Sequence, residues 1–181
     1  MKDYLDADEQ RFLLALARKS IEGFLKTGKR RRPEAGSEKL SAKRGAFVTL
    51  KVDGQLRGCI GYPLPHKPLI ETVAEMAVAA ATQDYRFLPL KVEELPRTRI
   101  EISVLTLPKP VKEVKEIEVG RHGIIVSKGI AKGLLLPQVP SEYGWDLETY
   151  LRHGCLKAGL DEDEWQKGVD IEVFEAQVFS E

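Results

Sequence analysis

The chain has 181 residues, 43% of them hydrophobic and 31% charged, a balance that suits one globular domain able to bury a core without disulfides or metal. Its 28 Lys and Arg offset 28 Asp and Glu, which excludes a surface that traps nucleic acid or anionic lipid by bulk charge and leaves only local basic patches. Two cysteines, Cys59 and Cys155, cannot build a disulfide framework or match a zinc-ribbon or CxxC spacing, so a reducing cytoplasm is the expected compartment.

The first residues, Met1 to Phe12, carry acids where a signal peptide needs an apolar stretch, and no apolar run approaches a membrane span, so neither export nor insertion is expected. The absence of Asn and the abundance of Lys, Glu and Arg follow the drift seen in proteins from hot environments. Residues 7–26 place Phe12, Leu13, Leu16, Ala17, Ile21, Phe24 and Leu25 at helical spacing behind Asp6 or Asp8, which predicts an amphipathic N-terminal helix. Residues 27–44 lack apolar periodicity and read as an irregular connector.

A first unit spans 45–108. Ala46 to Val52 and Gln55 to Tyr62 flank Asp53-Gly54, a strong hairpin signal because a type I′ turn needs positive φ at both central positions. A helix is predicted over 69–83, apolar nearly all round and therefore buried. A turn at 92–95 and a strand at 99–107 follow. A second unit, 122–181, repeats the order: strands at 122–127 and 130–136 about Lys128-Gly129, a helix at 147–158 capped by Asp146 and stopped by Gly159, a turn at 163–166, and one closing strand over 170–179.

Superposing Gly129 on Gly54 without gaps puts Gly120 on Gly45, Lys132 on Arg57, Gly133 on Gly58 and His122 on Phe47. These coincidences point to internal duplication of a strand-strand-helix-turn-strand unit. Units of about 60 residues are marginal alone. The expectation is therefore an α+β fold, a mostly antiparallel sheet carrying helices, with both units sharing one core.

Chemistry concentrates in Leu56-Arg57-Gly58-Cys59-Ile60-Gly61. Alternation along a strand puts Arg57 and Cys59 on one face, and a guanidinium beside a thiol favours the nucleophilic thiolate. Gly58 and Gly61 leave room for a ligand near the backbone. The competing reading buries Cys59 opposite Val48, with Arg57 opposite Leu50, since free Cys is commonly a core residue.

That hexapeptide resembles the signature of the AMMECR-one domain family, also called protein A of the AmmeMemoRadiSam system. The similarity continues through Arg44 to Leu50, Asp84-Tyr85-Arg86-Phe87, Gly120-Arg121-His122-Gly123, Gly133 to Val139, Tyr143-Gly144-Trp145 and Cys155 to Leu160, and so covers essentially the whole chain. The resemblance implies an α+β fold of two subdomains and a pathway shared with Memo-like and radical-SAM proteins, which would act as partners in trans. It specifies neither a reaction, a substrate nor a cofactor. Carried onto matching positions, it marks Cys59, Arg57 and His122 as candidate catalytic residues and Gly58, Gly61, Asp84, Arg86 and Gln138 as candidate ligand-binding residues.

Each has a plainer role open to it: His122 as a hydrogen-bonded residue at a strand start, Asp84 and Arg86 as a mutual pair, Glu101 as part of a polar sheet face. His153 and Cys155, two apart on a helix, point about 200° apart and cannot share one ion, so no structural zinc site is expected and Cys155 reads as core. Gly23 to Arg30 imitates a phosphate-binding loop but has Arg30 where Ser or Thr must hold magnesium, and a helix where a strand must precede it. Lys29 to Arg32 reads as a solvated tether, which makes nucleic-acid binding an unfavoured third class. Two functions remain: a thiol-dependent small-molecule enzyme or enzyme accessory, and a non-catalytic module recognising a protein or metabolite in an inter-unit cleft.

Overall fold

A computed structural model describes residues 4–30, 32–33 and 37–181; Arg31 of the basic run and residues 34–36 of the connector lie outside them. The fold is α+β, with antiparallel sheets and helices, in two compact units.

The first unit holds residues up to Leu105 together with Gln177–Glu181. Helix α1 (Ala7–Thr27) starts at a capping box, in which the Asp6 side chain takes the Asp8 and Glu9 N–H groups and Glu9 reaches back to the Asp6 N–H. It stops at Gly28, whose φ of 70° is the left-handed cap geometry that glycine adopts without strain. A short α2 (Glu38–Ser41), which sequence periodicity does not reveal, interrupts the connector. Strands β1 (Ala46–Val52) and β2 (Gln55–Tyr62) form the expected hairpin, with φ of 51° at Asp53 and 80° at Gly54. Helix α3 (Leu69–Thr82) follows, then a 3-10 turn (Val92–Arg97) and β3 (Thr98–Leu105).

Alternation along β1 and β3 separates two faces. Ala46, Val48, Leu50, Ile100, Ile102 and Val104 are buried in one cluster with α1 and α3, while Phe47, Thr49, Lys51, Glu101 and Ser103 remain half-buried on the opposite face.

The second unit, Thr106–Ala176, contains β4 (Lys109–Pro110), β5 (Gly123–Lys128), β6 (Ala131–Leu135), α4 (Gln138–Tyr143), α5 (Leu147–Lys157) and β7 (Asp170–Phe174). Its hairpin turns on Gly129-Ile130 rather than Lys128-Gly129, since Lys128 pairs with Ala131. Ile124, Val126, Tyr150, Leu151 and Cys155 form its core.

The closing strand differs from expectation. It breaks at Glu175 into β7, in the sheet ordered β4-β7-β5-β6, and β8 (Ala176–Ser180), in the sheet ordered β2-β1-β3-β8. The expected single shared core is likewise replaced by one apolar cluster in each unit. The first unit's cluster draws on α1 and on Phe179 of β8 as well as on its own hairpin and α3. Strand order nonetheless coincides, β2-β1-β3 against β6-β5-β7, while the second unit carries the additional helix α4 between its hairpin and α5.

Candidate functional site

Strand β2 is a sheet edge, so its outward N–H groups need partners from elsewhere. Asp84, in the segment leaving α3 and only 4% exposed, accepts the Cys59 N–H at 2.8 Å. It also accepts the Arg86 backbone N–H at 3.2 Å and the Arg86 guanidinium at 2.9 and 2.7 Å. The guanidinium hydrogen bonds, and after them the backbone ones, hold the Asp84 carboxyl well below the usual carboxylate range despite its burial. Arg86 is raised in turn, first by Asp84 and to a smaller extent by the electrostatics of Cys59. The pairing expected of Asp84 and Arg86 is therefore present, and it grips the backbone of Cys59.

Arg57 is not the partner of the thiol. Leu50 pairs with Gly58 and Lys51 with Leu56, so Arg57 is the extra residue of a β-bulge with no opposite number. Its guanidinium is engaged by Glu94 at 2.9 and 3.1 Å, by the Leu88 carbonyl at 2.8 Å and by the Pro89 carbonyl at 3.5 Å. Arg57 thus pins residues 88–94 beside the edge strand, and the guanidinium near Cys59 is that of Arg86. The bulge also sets Cys59 opposite Thr49 rather than Val48, which lifts it from the helix-covered face to the half-open one. This removes the buried-core reading of Cys59.

The openings expected at Gly58 and Gly61 are filled by the protein. A Cβ on Gly58 would lie 2.0 Å from the Ala80 carbonyl oxygen, so this glycine lets α3 settle on the strand. A Cβ on Gly61 would meet the Phe47 ring at 2.4 Å. Both are packing glycines.

On that face Thr49 Oγ1 donates to Cys59 Sγ at 3.2 Å, and Thr49 lies directly opposite Glu101 on its other side. Lys51 Nζ reaches Glu101 at 2.9 Å. Sequence reasoning missed Thr49 and Glu94, because neither is visible as a partner until the bulge fixes the register.

The remaining candidates belong to the second unit. His122 precedes β5; its Nδ1 accepts the Glu118 N–H at 3.1 Å, its Nε2 lies 3.8 Å from Glu175, and its carbonyl accepts the Tyr150 hydroxyl at 3.1 Å. Gln138 opens α4 and is exposed. Cys155 is fully buried, and burial pushes its thiol up, as expected of a core residue. His153 stacks on Trp145, with ring centroids 3.8 Å apart. No helix among the described residues is long and apolar enough to cross a membrane.

The AMMECR1 family model matches residues 14–179. The chain belongs to the AMMECR1 family. Among its relatives, Protein MK0488 of Methanopyrus kandleri is 50% identical over all of this chain and 92% of its own length. Protein MJ0810 of Methanocaldococcus jannaschii is 47% identical over 98% of this chain and 92% of its own. Among solved structures, the uncharacterized protein PH0010 of Pyrococcus horikoshii matches with a TM-score of 0.76 and 44% identity, over 94% of this chain and 90% of that one. This AMMECR1 chain thus shares its fold with archaeal proteins along nearly their whole length.

Proposed function

We propose that this AMMECR1 protein is a cytoplasmic small-molecule enzyme or enzyme accessory whose reacting group is the Cys59 thiol, working in a pathway with Memo-like and radical-SAM proteins. The observation that carries the reading is the placement of Cys59. Its side chain is half-buried on the sheet face away from α3, its backbone is clamped by Asp84, and Asp84 fixes the Arg86 guanidinium nearby. A partly accessible thiol near a cation is the setting in which cysteines act as nucleophiles. Arg86, with its guanidinium nearly half exposed, is the group that would hold an anionic part of the substrate. The test is complementation of a strain lacking the protein. Cys59→Ala should fold with an unchanged melting temperature and fail to restore pathway output; full restoration would end the thiol reading.

A second reading, a protein-recognition module, draws on the segment between the Asp84–Arg86 pair and the residues that Arg57 pins. Tyr85 is 94% exposed and Leu88 82% exposed, large side chains left in water on an anchored segment. Partner capture abolished by Tyr85→Ser with Leu88→Ser and indifferent to Cys59→Ala would favour this reading over the first.

A further inference from the structure

The Cys59 row can be compared with its counterpart in the second unit, because both units anchor it in the same way. Gly58 passes under α3, with its virtual Cβ 2.0 Å from Ala80, and Gly133 passes under the end of α5, with its virtual Cβ 2.3 Å from Ala158. The next residue on each strand heads a three-strand row. In the first unit the row reads Cys59, Thr49, Glu101; in the second it reads Leu134, Ile125, Glu172. The carboxylate is common to both rows, while the thiol and the hydroxyl replace a leucine and an isoleucine together. A β-branched alkyl group therefore fits the central position of such a row, and the fold does not require a hydroxyl there.

We infer that Thr49 is a positioning residue for Cys59, its hydroxyl donating to the Cys59 sulfur and holding it on the Thr49 face of the sheet. The inference rests on the thiol reading above and adds a residue to it. A hydroxyl donor gains strength when its acceptor is charged, so the contact at 3.2 Å is one that the reacting form of a thiol would use. The other charged or titratable groups on the neighbouring elements are Lys51 on β1 and Glu101 on β3, which pair with each other, and Asp84, Arg86 and Tyr85 on the segment after α3, where Asp84 pairs with Arg86. Lys51 and Glu101 neutralise one another, as do Asp84 and Arg86, which leaves the Thr49 hydroxyl as the neighbour whose loss changes the sulfur without changing any charge.

The test is the pH–rate profile of Cys59 carbamidomethylation by iodoacetamide in the full chain, read by mass spectrometry of the Cys59 peptide. The thiol proton goes to solvent, the thiolate attacks the CH2 carbon, a C–S bond forms and iodide leaves. Thr49→Val should move the profile to higher pH and slow labelling at pH 7 by about tenfold, the difference between a hydrogen bond to a charged and to a neutral acceptor. Thr49→Ser should restore the wild-type profile, and Thr49→Ala supplies a second hydroxyl-free variant should valine disturb the strand. A purely structural role for Thr49 would lower the melting temperature and leave the profile where it was. Wild-type labelling with superimposable wild-type, valine and alanine profiles overturns the Thr49 inference alone. A wild-type Cys59 that does not label overturns the thiol reading, and the inference with it.

Discussion

Asp84 offers the most quantitative handle on how the site is held. Asp84→Ala removes the acceptor of the Cys59 N–H on an edge strand and of three Arg86 donors. The Arg86 guanidinium is nearly half exposed and recovers water, so its share is discounted; the Cys59 N–H, left without its partner, costs about 1–3 kcal/mol. The total is about 1–3 kcal/mol at pH 7, and Asp84→Asn, which keeps a carbonyl oxygen for the N–H, should lose about half as much. Because the folded carboxyl is held below its unfolded value of about 3.9, the stability it supplies is complete above that pH and is lost as pH falls towards the folded value. The gap between wild type and Asp84→Ala should therefore narrow by about 1.4 kcal/mol per pH unit below about 3.9. Urea unfolding followed by far-UV circular dichroism at pH 7 and pH 3 measures it, and a gap that is the same at both pH values would refute the clamp.

Gly58→Ala should destabilise the first unit by about 1–3 kcal/mol, because the added methyl meets backbone rather than a movable side chain; a melting temperature equal to wild type would contradict the packing role. Arg57→Ala should free residues 88–94, seen as faster amide hydrogen exchange at Leu90 and Glu94, while leaving Cys59 alkylation within about twofold of wild type; a collapse of thiol reactivity would return Arg57 to the role of activator. Lys51→Met should change stability by less than about 1 kcal/mol, since both members of its ion pair with Glu101 are about a third or more exposed, and thermal unfolding tests this directly.

Most of the elements were legible from local pattern. The aspartate cap before α1, expected at Asp6 or Asp8 and found at Asp6, the Asp53-Gly54 turn and the all-round apolar α3 each express rules that act within a few residues. What escaped were features set by pairing at a distance. The bulge at Arg57 leaves no local trace, yet it turns Cys59 from the Val48 row to the Thr49 row and shifts the apparent alignment of the two units. Paired by register, Lys132 corresponds to Leu56 rather than Arg57, and His122 to Ala46 rather than Phe47. The break of the closing strand at Glu175 was hidden for a similar reason, since no Gly or Pro interrupts residues 170–179 and only the sheet each half joins distinguishes them. Gly58 and Gly61 were visible as unusual, but their purpose depended on Ala80 and Phe47, which sequence alone could not place against them.

The central claim is that Cys59 is a presented thiol and Cys155 a core one. Site-resolved iodoacetamide labelling of the native full chain at pH 7 decides it most directly: Cys59 should be modified while Cys155, fully buried, stays protected until the protein is unfolded. Equal protection of both cysteines in the native protein would contradict the account.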